Sequence, residues 1–360
     1  MARPARAHID LQALRDNYHW TRQLTPGCKA LAVVKADAYG HGAVKAAHAL
    51  AAQADGFGVA CLEEAIELRA SGIKNPILLL EGVFEPAELA LASLHELWIT
   101  VHCQSQLEWL LAAPLQRPLK VWLKMDSGMH RLGFAPQDYR AAYAALAQSP
   151  QVSEIVTMTH LARADETDCP FTPQQRAIFE DITHDMPCER SIVNSAGLMA
   201  WPPSQGEWVR PGLALYGVSP LSGSRAGTTP LRPVMTLASQ LIAVRQVNAG
   251  EAIGYGTHCI TQGVTRIGVV AMGYADGYPR AAANGTPVAV AGQRTQLLGR
   301  VSMDMLTVDL THLPHAAIGD AVELWGLQIG IEEVAKASQT IPYELLARMT
   351  RRVERHYRHQ

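Results

Sequence analysis

Lys35 directly follows the apolar run Leu31-Ala32-Val33-Val34, inside the stretch "VVKADAYGHG" (33–42). An ammonium group is costly to bury unless it is paired, neutralised or chemically used. Further along, "MDSGMHRLG" (125–133) carries Arg131 in a glycine-framed loop, and His160 closes another apolar run before "LARAD". "NSAG" (194–197) offers Ser195 with backbone amides, and Arg210 lies within "WVRPGLALYG". Each alone also fits an ordinary role: a snorkelling lysine, a hydrogen-bonded histidine, a helix cap. Together they supply an amine for a Schiff base, a phosphate cradle and two guanidinium groups. That is the set a pyridoxal phosphate site needs.

These residues need a scaffold that brings them to one place. Eight apolar runs occur at 31–35, 56–60, 77–81, 97–101, 119–125, 154–160, 190–194 and 208–217. Between most of them lie segments with apolar residues at helical spacing, such as "VKAAHALAAQ", "LEEAIELRAS", "QSQLEWLLAA" and "DYRAAYAALAQ". The alternation predicts an α/β protein whose N-terminal part is a (β/α)8 TIM-type barrel, with function at the carboxyl ends of its strands. A doubly wound open sheet is the rival, but "GFGVAC" (56–61) ends in cysteine and keeps its glycines inside the run. "FEPAE", "FAPQD" and "FTPQQ" each place a proline where a helix start is expected.

Composition changes at 218–233, "VSPLSGSRAGTTPLRP", which reads as a linker or long loop. Beyond it come β-branched runs, "LIAVRQV", "VTRIGVV", "TPVAVAG", "RTQLLG" and "MLTVDL", and then helical spacing in "IEEVAKASQ" and "YELLARMTRRV". The division predicted is a barrel domain over 1–230 and a mostly β domain over 231–360.

The 360 residues are 48% hydrophobic and 18% charged, which describes a globular protein with a large core. Lys plus Arg (31) nearly balances Asp plus Glu (33), so no basic field for nucleic acid and no polybasic membrane anchor is expected. Six dispersed cysteines, no apolar segment behind the basic start and no run long enough to span a bilayer predict a soluble cytoplasmic protein. The fourteen histidines form no metal-ligand spacing, so no catalytic metal is expected, and "SGIK" (71–74) lacks the partners of an S-x-x-K site.

The chain resembles the alanine racemase family nearly end to end. The blocks are "VVKADAYGHG", "FGVACLEEA", "KMDSGMHRLGF", "THLARAD", "NSAG", "WVRPGLALYG", "GYGTH", "VVAMGYADGYPR", "GRVSMDM" and "PYELL", in that order. The resemblance implies pyridoxal 5'-phosphate held by Lys35, and a homodimer with shared active sites. It implies two bases: Lys35 for D-alanine and Tyr255, reaching in from the partner subunit, for L-alanine. His160 and Arg210 would stand behind Tyr255, with Arg210 also facing the pyridine nitrogen. Tyr39, Ser195, Gly212 and Tyr343 match the phosphate-binding positions. Arg131 would hold the cofactor's phenolic oxygen or the substrate carboxylate, while Met303 and Tyr274 would narrow the partner's pocket. Lys124, seven residues before Arg131, matches a lysine often carbamylated to orient that arginine.

The reaction implied is interconversion of L- and D-alanine, supplying D-alanine for peptidoglycan or degrading it. A broader small amino-acid racemase is the alternative. Barrel decarboxylases share the cofactor and the two-domain plan, but "GYGTH" and "GYADGYPR" argue against them. A cofactor-binding homeostasis protein would resemble the barrel alone.

Overall fold

A computed structural model of the chain describes residues 3–201, 206–221 and 229–359. The chain opens with β1 (Arg6–Asp10), then runs through eight strands. These are β2 (Lys29–Val33), β3 (Gly56–Val59), β4 (Ile77–Leu79), β5 (Trp98–Val101), β6 (Leu119–Lys124), β7 (Val152–Met158), β8 (Glu189–Asn194) and β9 (Trp208–Arg210). They pair in parallel in that order, and Lys29 and Ala30 of β2 meet Trp208 and Val209 of β9 to close the barrel. All of β3, β4 and β9 and most of β6 are buried. Burial on both faces is why these strands read as continuous apolar runs.

Helices follow most of the strands, among them Ala43–Leu50, Leu62–Ala70, Gln104–Ala112 and Pro136–Ala147. Pro136 stands at a helix start as expected, Pro173 falls third in its helix, and Pro86 precedes the Glu88–Leu94 helix by two residues. All three sit where no intrahelical donor is demanded.

The second unit contains β10 (Met235–Val247), β11 (Thr265–Val270), β12 (Pro287–Val290), β13 (Gln293–Leu298), β14 (Leu306–Asp309), β15 (Ala321–Trp325) and β16 (Glu354–Arg358). Its sheet runs β11-β14-β13-β12-β15-β10-β1-β16, and β10 pairs β11 as well, so six strands form a closed ring. The opening strand, within the region assigned to the barrel domain from sequence, lies in this sheet, antiparallel to β10 and parallel to β16. Of the 218–233 segment read as a linker, residues 222–228 lie outside the described residues. All six cysteines are free. Among the described residues no helix is long and apolar enough to cross a membrane.

Candidate active site

β2 delivers Lys35 to the carboxyl end of the barrel, and the backbone then turns the unusual way. Ala36, Asp37, Ala38 and Tyr39 have φ of 53°, 54°, 52° and 51°, and Gly40 follows at 76°. This is a turn of left-handed helix made mostly of L-residues, at a cost of roughly 1–2 kcal/mol for each of the four non-glycines. A sum of that order rivals the net stability of a whole domain, so other contacts must offset it. Glu64, in the helix after β3, accepts from Ala36 N at 2.8 Å and from Ala60 N at 2.7 Å. Asp37 accepts from Ala43 N at 2.8 Å, and the buried His41 ring contacts the carbonyls of Ala38 and Tyr39 through Nδ1 at 2.9 and 2.8 Å. A Cβ on Gly40 would stand 2.1 Å from the Leu346 carbonyl oxygen, so only glycine lets the turn seat there.

The turn ends in a polar pocket. The Tyr39 ring lies 4.8 Å from Tyr216 and 5.9 Å from Tyr343, centroid to centroid. Burial pushes the Tyr39 phenol far up, and pushes that of Tyr343 up to about 12, so both stay protonated hydrogen-bond donors. Ser195, following β8, accepts from Gly212 N at 2.7 Å and Ala214 N at 3.3 Å, which leaves its own hydroxyl proton to donate. A Cβ on Gly212 would come within 2.8 Å of the Tyr39 hydroxyl and crowd this cradle. Hydroxyls and amides so arranged fit a phosphate group.

Cations crowd the same rim. Arg210 is buried and donates to Ser191 Oγ, to the Thr159 carbonyl at 2.7 Å and to the Ile192 carbonyl at 3.3 Å. Among the described residues it forms no ion pair with a carboxylate, and burial pulls its guanidinium down to about 9. Lys124 ends β6 and is buried; desolvation, then Arg210, Arg131 and Lys35, draw its amine down to about 8, against the opposing field of Glu81. Burial, then the neighbouring Arg210, Lys124, Arg131 and Lys35, keep His160 neutral, well below its ordinary value. Arg131 is exposed in its loop, which Asp126 organises by accepting from Gly128 N and His130 N at 3.0 Å each. A rim with this excess of positive charge suits a ligand bearing several negative charges.

Lys35, Tyr39, Lys124, Arg131, His160, Ser195, Arg210, Gly212 and Tyr343 thus gather at one end of the barrel. Tyr255, Tyr274 and Met303 stand apart in the second unit, with 71, 36 and 53% of their surface exposed. Tyr255 makes no hydrogen bond or ring contact among the described residues. Tyr274 N donates to Ser302 O and Ala275 N to Met303 O, both at 3.0 Å, which joins those two loops into one patch. Sequence reasoning did not single out Glu64, Glu81, Ser191, Arg355 or Tyr357. Only the polar ending of "ILLLE" hinted at Glu81.

The chain matches known proteins over both of its halves. Residues 9–220 match the alanine racemase N-terminal domain and residues 234–357 its C-terminal domain. The catabolic alanine racemase of Pseudomonas putida is 58% identical over 99% of both chains. A catabolic alanine racemase of Pseudomonas aeruginosa is 55% identical over 97% of this chain and 98% of its own. The crystal structure of the biosynthetic alanine racemase from Pseudomonas aeruginosa superposes with a TM-score of 0.97 at 50% identity, covering 99% of this chain and 100% of that one. With both halves of the family's architecture matched and identity sustained end to end, the chain belongs to the alanine racemase family.

Proposed function

We propose that the protein interconverts L- and D-alanine with pyridoxal 5'-phosphate as cofactor, working as a homodimer in the cytoplasm. The observation that carries this reading is the rim itself: a lysine at a strand end, a hydroxyl-and-amide cradle and a set of buried cations without matching carboxylates. When bound, the cofactor withdraws electrons from the substrate's Cα–H bond, so that the protein need only move protons. Lys35 anchors it and serves as the base on one face. Tyr39, Ser195, Tyr343 and the Gly212 amide hold its phosphate, Arg210 stays cationic at neutral pH beside its ring, and Arg131 holds a carboxylate or phenolate.

The base for the other face is Tyr255. Its exposure on the chain's own surface supports delivery to a second subunit, whose pocket Tyr274 and Met303 would narrow. Lys124, with its amine drawn down to about 8, is suited to carbamylation. The neutral amine forms a bond to carbon dioxide and loses a proton, giving an anion between cations. The D-alanine made or consumed is a component of cell-wall peptide.

Proton washout in D2O tests the two-base assignment. Tyr255→Phe should slow Cα-proton exchange from L-alanine by about 10²–10⁴-fold, the scale of losing a general base, and spare exchange from D-alanine. Equal retention of both exchanges would sink it.

A further inference from the structure

The left-handed turn behind Lys35 is held by residues more than 300 positions further along the chain. β16 presents Arg355 and Tyr357 to it. Arg355 donates from Nε to the Gly40 carbonyl at 2.7 Å and sets Nη2 3.1 Å from Asp37 Oδ2. It therefore bridges the middle and the end of the turn with one rigid fork. Tyr357 donates to the His41 carbonyl at 3.1 Å, one residue beyond. Both side chains come from a strand that pairs in parallel with β1, Ala7 opposite Arg355 and Ile9 opposite Tyr357, so they are fixed by the sheet of the second unit. The turn they grip has Lys35 at its start and Tyr39 within it.

We propose that Arg355, assisted by Tyr357, is a positioning residue for Lys35. It holds the turn left-handed and so fixes the spacing between the amine that carries the cofactor and the phenol that holds its phosphate. This rests on the assignment of Lys35 as the cofactor lysine. Without the fork, the turn is free to relax toward right-handed φ, which L-residues prefer, and Lys35 and Tyr39 would no longer grip one molecule together. The substrate side of the site, with Arg131, is held by a different loop and is left in place.

The holoenzyme is transferred to cofactor-free buffer, and the visible absorbance of lysine-linked cofactor is followed over time. Arg355→Met should lose linked cofactor about tenfold faster than the parent, the scale of losing a hydrogen bond to a charged group. Its kcat should fall with KM for alanine held within about twofold, because the affected interactions are not those of substrate binding. Arg355→Lys keeps the charge opposite Asp37 and loses the fork, so it should fall between the two. Arg140→Met removes a surface ion pair with Asp185 and serves as control. Wild-type cofactor retention in Arg355→Met, or equal acceleration in Arg140→Met, overturns the proposal. If Arg355→Met does not fold, Arg355→Lys and Tyr357→Phe decide, each expected about threefold faster than the parent, in the range of one neutral hydrogen bond; no change in either overturns it. Borohydride reduction followed by peptide mass mapping locates the linked lysine. A lysine other than Lys35 overturns the functional reading itself, whatever Arg355 does.

Discussion

The two ends of the barrel are built from the same eight strands and treat charge in opposite ways. At the amino ends, Lys120 Nζ lies 2.6 Å from Glu154 and 3.5 Å from Glu189, and 4.5 Å above the Trp98 ring. Lys29 meets Glu189 at 2.6 Å, and the Trp208 indole donates to the same carboxylate at 2.7 Å. Burial works to raise the Glu189 carboxyl, yet Lys29, Trp208 and Lys120 bring it below its usual value. Trp98, Trp122 and Trp208 pack in mutual ring contact and plug this end. At the carboxyl ends, Arg210 and Lys124 are more buried than the charged groups of the floor, and Glu81 opposes the field on Lys124. Matched charge closes one end for stability, and unmatched charge leaves the other ready for an anion.

The contrast breaks most visibly at Arg210. Arg210→Met should cost about 10²–10³ in kcat, as losing a preorganised charge does. The urea midpoint of the cofactor-free protein should hold or rise, since relief of a buried cation with no counter-charge offsets the hydrogen bonds to Ser191, Thr159 and Ile192 that the shorter thioether chain gives up. A midpoint that dropped while activity stayed would show the rim to be structural like the floor.

A smaller effect separates the two ends by pH. The native Lys124 amine titrates near 8 and its unfolded counterpart at 10.5, so between those values the unfolded chain holds a proton that the native protein lacks. Stability therefore rises with pH across that window, by up to about 3 kcal/mol for this one group. His160, also depressed, adds loss of stability as pH falls below 6.5. Urea titrations of cofactor-free protein in carbon-dioxide-free buffer should show the alkaline rise, and Lys124→Met should flatten it; an unchanged slope in the variant would assign the rise elsewhere. Glu189 gives a slope of the same sign in a separate, acid window, where its stabilising contribution is lost as pH falls from its unfolded value through its depressed native one.

The smallest expected effect is at the floor. Lys120→Met leaves Glu154 and Glu189 short of a partner and should destabilise by about 1–2 kcal/mol, below the cost of breaking a fully buried pair because Glu154 is half exposed. Racemisation kinetics in the folded variant should match the parent. A kcat defect there would show that the two ends are coupled through the strands.

How legible all this was from sequence depends on where the specifying contacts lie. The barrel strands announced themselves because burial on both faces leaves no room for polar residues. β1 and β16, "RAHID" and "ERHYR", carry charges on partly exposed strands and gave no such signal. Lys35, His160 and Ser195 were legible as polar residues ending apolar runs. Tyr255, Tyr274 and Met303 were not, since a tyrosine in a β region is ordinarily a packing residue, and only the family resemblance raised them. The left-handed turn was hidden altogether: Ala-Asp-Ala-Tyr reads locally as a right-handed helix start. What reverses it is Glu64, Arg355 and Tyr357, the last two more than 300 positions away, and no local pattern carries that.

That distance has a consequence for how the molecule comes to be. Chains grow from the amino end, so Lys35 and the barrel leave the ribosome long before Arg355 and Tyr357 do. The grip on the turn becomes available only after more than 300 further residues have been made, and a product cut short before residue 355 carries the lysine without its clamp. Synthesis of β16 and readiness for chemistry are thereby tied to one another by a single short strand.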